Sequence, residues 1–132
     1  MRKARMLLIV ALLLGIYTSC DLLNPKPFQL YNTNWSISSA TSDHGHKSLH
    51  FTQDGYYFKD ASNAVIERGA ITNEQWESYN YTIEECTISG FESVVGKSRF
   101  AAFTLSGDTL TIDFFLDSSK ESLLISMTAV KL

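Results

Sequence analysis

Residues 100–115 read FAAFTLSGDTLTIDFF, and this stretch decides the fold. From Thr109 every second side chain is apolar: Leu110, Ile112 and Phe114 share one face, with Thr109, Thr111 and Asp113 on the other. A period of two belongs to a half-buried strand, whereas a helix would repeat at about 3.6 residues. Ser106-Gly107-Asp108 interrupts the pattern with turn residues, so residues 100–105 and 109–115 are predicted to form a hairpin.

The same texture continues on both sides. After the turn Asp117-Ser118-Ser119-Lys120-Glu121, Leu123, Ile125, Met127 and Ala129 alternate within residues 122–131. Upstream, Tyr79, Tyr81 and Ile83 share a face, the parity slips at Glu84-Glu85, and Cys86 and Ile88 resume it; a bulge or bend is expected there. Trp35 and Ile37 alternate with polar neighbours, as do Leu49 and Phe51. Asp54-Gly55 is expected to turn the chain tightly, with the glycine at positive φ, into Tyr56-Tyr57-Phe58-Lys59. A second turn at residues 60–63 leads into residues 64–69. Only residues 73–77 suggest helix, and no more than one turn. Eight or nine strands within residues 34–132 predict an all-β domain built as a small antiparallel meander. Closing the meander into an eight-stranded barrel removes its exposed edges. A two-sheet β-sandwich is the alternative.

The beginning of the chain has a different character. Arg2, Lys3 and Arg5 precede an apolar run from Met6 to Tyr17, which as a helix would rise about 18 Å against a hydrocarbon core of about 30 Å. A basic start, a short apolar centre and then Thr18-Ser19 have the form of a secretory signal peptide, so residues 1–19 stand outside the fold. Their removal takes Lys+Arg from 11 to 8 against 14 Asp+Glu, and the net charge moves from −3 to −6. Such a chain has no basic surface to follow a phosphate backbone, which argues against nucleic acid as a partner. Residues 20–33 contain both prolines, Pro25 and Pro27, and no usable period. They read as a tether.

Thr18-Ser19-Cys20, directly after the apolar run, resembles a bacterial lipobox, with Tyr17 standing where that family usually has an aliphatic residue. The resemblance implies that Cys20 is the lipid-attachment residue: its thiol carries diacylglycerol and it becomes the new N-terminus. The protein would then be a lipoprotein of the bacterial cell envelope, held to a membrane through at least two acyl chains. Two chains hold a protein stably where one binds only marginally. A 20–86 disulfide is the alternative use of the two cysteines. With lipid on Cys20, Cys86 is expected to be an inert thiol facing the core.

The sequence offers few groups for catalysis. His44, His46 and His50 lie close in sequence, but on a strand the last two would stand about 13 Å apart, too far for one ion with bonds near 2 Å. Gly45 favours a solvated loop, and no metal site is expected. Gly96-Lys97-Ser98 lacks the glycine spacing of a phosphate-binding loop, and no Gly-x-Ser-x-Gly elbow exists. Adjacent Glu84 and Glu85 would point to opposite faces of a strand. The reading is of a protein that is no enzyme and carries no cofactor. The remaining candidates are aromatic: Trp35, Tyr56, Phe58, Tyr79, Tyr81, Phe103 and Phe114 are expected to face inward, filling a core or lining a cavity for a small apolar ligand.

An early Trp35 strand, then Leu49-His50-Phe51-Thr52-Gln53-Asp54-Gly55-Tyr56, then Ser106-Gly107-Asp108-Thr109-Leu110-Thr111-Ile112 resemble small bacterial lipocalin-like domains. Small META-type lipoprotein domains are a second β-rich likeness. The lipocalin resemblance implies a ligand-binding barrel, although Thr33 stands where lipocalins place a glycine two residues before the tryptophan. The alternative function is a structural or protein-interaction module of the envelope with a filled core.

Overall fold

The computed structural model of the protein describes residues 28–132. The signal segment 1–19, Cys20 and the tether as far as Pro27 lie outside the described residues. Eight strands follow in order: β1 (Asn34–Ala40), β2 (Ser48–Phe51), β3 (Gly55–Lys59), β4 (Val65–Glu74), β5 (Ser78–Cys86), β6 (Ser98–Ser106), β7 (Thr109–Phe115) and β8 (Leu123–Lys131). A single 3-10 turn, Glu92–Val94, sits between β5 and β6. Each strand pairs antiparallel with its sequence neighbours, and β1 returns to β8 through Trp35 opposite Lys131 and Ile37 opposite Ala129. The ring is therefore closed, and the sandwich alternative is set aside. It is the meander barrel that the alternation and the lipocalin-like resemblance imply.

The hairpin at residues 100–115 forms as its pattern predicts. Ser106 pairs with Thr109, which leaves Gly107-Asp108 as a two-residue turn. Gly107 has φ +59°, as the first central residue of a type II′ turn requires. Leu110, Ile112 and Phe114 are buried, with Ala101, Phe103, Met127 and Ala129 on the flanking strands.

Bulges bend the sheet enough to close. Arg68 faces Glu85 and Gly69 faces Ile83, so Glu84 is the extra residue where the parity slipped. Further register shifts occur between Ile37 and Ser39, between Phe58 and Lys59, and between Phe114 and Phe115. Extra residues of this kind increase local twist and curvature.

Two local expectations are corrected. Gly55 is not at positive φ: it opens β3 and is glycine because a Cβ there would lie 2.2 Å from the Gly69 carbonyl oxygen. The turn before it is held by the Thr52 amide donating to the Gly55 carbonyl and the Gly55 amide donating to the Thr52 hydroxyl. Residues 73–77 make no helical turn, because Asn73 and Glu74 finish β4 opposite Asn80 and Tyr79.

The larger correction concerns the start of the packed domain, placed at residue 34 from the sequence. Phe28 is 5 % exposed and Leu30 fully buried, both within the barrel core. Phe28 lies edge-on to Phe51, Tyr79 and Phe103, with ring centroids 6.1, 5.6 and 5.8 Å away. Each such contact contributes about 0.5–1.5 kcal/mol beyond the area it buries. The Trp35 indole donates to the Thr33 hydroxyl at 2.8 Å, and that hydroxyl donates to the Leu30 carbonyl at 2.6 Å. Thr33 thus fastens the segment to β1, a contact that glycine could not make.

Residues 28–33 plug the end of the barrel where β1 begins, and residues 28–132 contain the plug together with the whole closed ring. A soluble chain beginning at Asp21 keeps this unit. In that chain, Phe28→Ala is expected to lower the unfolding free energy by about 3–5 kcal/mol, read from urea denaturation. A loss below about 1 kcal/mol would mean that the barrel end needs no plug.

Candidate functional site

The seven aromatics proposed from the sequence are all buried, but they do not form one site. Tyr79 and Phe103 pack against Phe28 at the plugged end, and Trp35 fastens the plug through Thr33. Phe58, Tyr81 and Phe114 instead line a cavity of about 240 Å³. Tyr56 meets the cavity group edge-on at Phe58 and Tyr81, and the ring contact between Tyr79 and Tyr81 links the two regions.

The cavity lies toward the opposite end, where β5 hands over to β6 and β7 to β8. Ile83, Met127 and the start of β8 at Leu124 and Ile125 extend its apolar wall, and Phe91 and Val94 bring the β5–β6 connection around it. The lining also contains His44, His46, Glu67 and Arg99, which sequence reasoning did not bring together.

Glu67 arrives there by regular pairing: it stands opposite Phe58 in the same register that sets Gly69 opposite Tyr56, and the extra residue Ile66 breaks the ladder only beyond it. The Glu67 side chain is 13 % exposed. Its Oε2 accepts the Tyr56 hydroxyl at 2.7 Å. Gly69, two residues along the same strand, makes room for that approach: a Cβ there would lie 2.8 Å from Tyr56 Cε1 and 2.2 Å from the Thr82 carbonyl oxygen. The tyrosine crosses bare backbone to reach the carboxylate.

His46 comes from the loop between β1 and β2. That loop is fixed at its base by the Lys47 amide donating to the Lys59 carbonyl and the Ile37 amide donating to the Lys47 carbonyl. Gly45, at φ +92°, turns the chain so that the next side chain points in. His46 lies edge-on to Phe58 at 4.4 Å, and its Nε2 faces Glu67 Oε1 at 3.5 Å. The expectation of a solvated histidine loop is therefore corrected. His44 is exposed, resting on Phe91 at 4.7 Å. His50 is half-buried, its Nδ1 2.7 Å from Asn34 Oδ1, its Nε2 2.9 Å from Ser48 Oγ, and its ring stacked on Tyr57. Burial, and then the Lys59 charge, lower the His50 pKa. Among the described residues no group of three His, Cys, Asp or Glu side chains is placed to hold a metal ion. Cys86 packs half-buried against the core, and burial pushes its thiol up, so it stays protonated.

Burial pushes the pKa values of Tyr56, Tyr79 and Tyr81 above their ordinary value of 10.0, and the charge of Glu67 adds to the rise in each. A raised folded-state pKa gives stability that is complete below pH 10 and is lost as the pH climbs above it. Each of the three then removes about 1.4 kcal/mol per pH unit. Above pH 10 the barrel is expected to unfold cooperatively, with tyrosinate absorbance and loss of sheet signal in circular dichroism rising together. Tyrosinate forming in a barrel that keeps its sheet signal, at the level of all five tyrosines of residues 28–132, would show that the three hydroxyls are not held this way.

Comparison with known protein families and with curated proteins finds no match for this chain, so its function has to be read from the cavity itself.

Proposed function

We propose that the protein is a lipid-anchored lipoprotein of the bacterial cell envelope whose barrel binds a small apolar ligand through its open end. The cavity carries this reading: about 240 Å³ between Phe58, Tyr81 and Phe114, in a barrel whose other end is plugged by Phe28 and Leu30. An eight-stranded barrel has room for one small ligand. An apolar cavity of about 150 Å³ stays dry and takes up benzene, so this one suits a ligand of one ring or a short branched chain.

The plug bears on the anchor as well. With Phe28 packed in the barrel, the span from a lipidated Cys20 is eight residues, about 28 Å when fully extended. The plugged end would stay near the membrane, and the open end would face the aqueous compartment.

Native mass spectrometry of the chain from Asp21, together with titration of an apolar fluorescent probe, tests the ligand. A small apolar mass released on denaturation, or probe binding that falls at least tenfold in a folded, cavity-filling Ile83→Trp variant, is expected. A clean apo mass with no probe binding would favour an interaction module with a filled core. For the anchor, Cys20→Ser is expected to release the full-length protein from the membrane fraction's lipid-modified pool. A variant that stays membrane-bound at the mature size would overturn lipidation.

A further inference from the structure

We infer that the cavity selects a small apolar molecule bearing one hydroxyl group, a phenol or an alcohol of similar size, whose O–H donates to His46 Nδ1. The inference rests on the ligand-binding reading above and adds the chemistry of the ligand.

The His46 side chain is 8 % exposed, and Nδ1 is buried without a hydrogen-bond partner. An unpaired buried acceptor or donor costs about 1–3 kcal/mol, which is why such atoms are few and call for a reason. The neighbours settle what this atom offers. Nε2 faces Glu67 Oε1, while Glu67 Oε2 is already occupied by the Tyr56 hydroxyl. A carboxylate accepts and does not donate, so in the neutral ring the proton sits on Nε2. Nδ1 is left with a lone pair, and its partner must bring a hydrogen.

The rest of the wall decides what carries that hydrogen. Phe58 meets the imidazole edge-on, and Tyr81, Phe114 and Met127 complete a surface suited to a ring or branched alkyl group. A hydroxyl adds the single donor needed at little cost in bulk, and its oxygen remains able to accept. Arg99 also lines the cavity, which makes a carboxylate the natural competitor, and the experiment includes one.

The chain from Asp21, labelled with ¹⁵N at histidine, is titrated with 4-methylphenol, p-xylene and 4-methylbenzoate, which share a shape and differ in the polar group. The phenol is expected to bind at least tenfold more tightly than p-xylene and to shift the His46 Nδ1 resonance, which p-xylene leaves in place. His46→Phe is expected to abolish the difference between phenol and p-xylene while keeping p-xylene binding. His46→Asn, which places a carbonyl oxygen near the former Nδ1, is expected to restore part of it. Equal affinities for phenol and p-xylene in the wild type, or tightest binding of 4-methylbenzoate, would overturn the inference and leave the cavity intact. Binding of none of the three would overturn the cavity reading together with the inference.

Discussion

The return of β1 to β8 is the constraint on which the rest of the structure depends. Closure gives every strand two partners, so no sheet edge is left to pair with another chain. It also creates an interior that must be filled or used. An antiparallel meander of eight short strands has two ends, and this chain treats them differently. At the end where β1 begins, residues 28–33 fold back and place Phe28 and Leu30 in the core. At the other end the connections are longer, carry Phe91 and Val94, and leave a space that they rim without filling.

Polar chemistry reaches that space through one regular strand position and two glycines. Glu67 faces inward opposite Phe58, the bare backbone at Gly69 lets Tyr56 reach it, and Gly45 turns His46 toward both. A carboxylate inside a barrel costs desolvation, which the Tyr56 hydroxyl offsets directly and the imidazole offsets at longer range. The remaining mismatch is concentrated on one atom, Nδ1 of His46, a residue that lines the cavity.

What could be read from the sequence follows from the same division. Alternation is a repeating signal, so the hairpin at residues 100–115, the strand ending at residue 131 and the seven inward aromatics were all legible. Even the bulge at Glu84 showed itself, because apolar parity resumed after the slip. Phe28 and Leu30 were hidden because a segment crossing the barrel end once has no period, and the adjacent prolines suggested a tether. Glu67 was hidden for another reason: a carboxylate at an inward strand position breaks the apolar pattern by which inward positions are recognised. His46 depended on the backbone conformation of Gly45. That position was set by a single backbone irregularity, which composition and spacing do not record.

The plug and the cavity also constrain each other energetically. The aromatic ring contacts run from Phe28 through Tyr79 to Tyr81, and from Tyr81 to Phe114 at the cavity wall. A gap in a densely packed interior forfeits contacts on one side, so a barrel that keeps an open space must recover stability elsewhere. The plugged half is where it does so, with Leu30, Trp35 and Tyr79 almost wholly removed from solvent. Filling one end with rings is therefore the condition for leaving the other end open. A ligand seated against Phe58 and Phe114 would restore the missing contacts at that end and couple occupancy of the cavity to the stability of the whole ring.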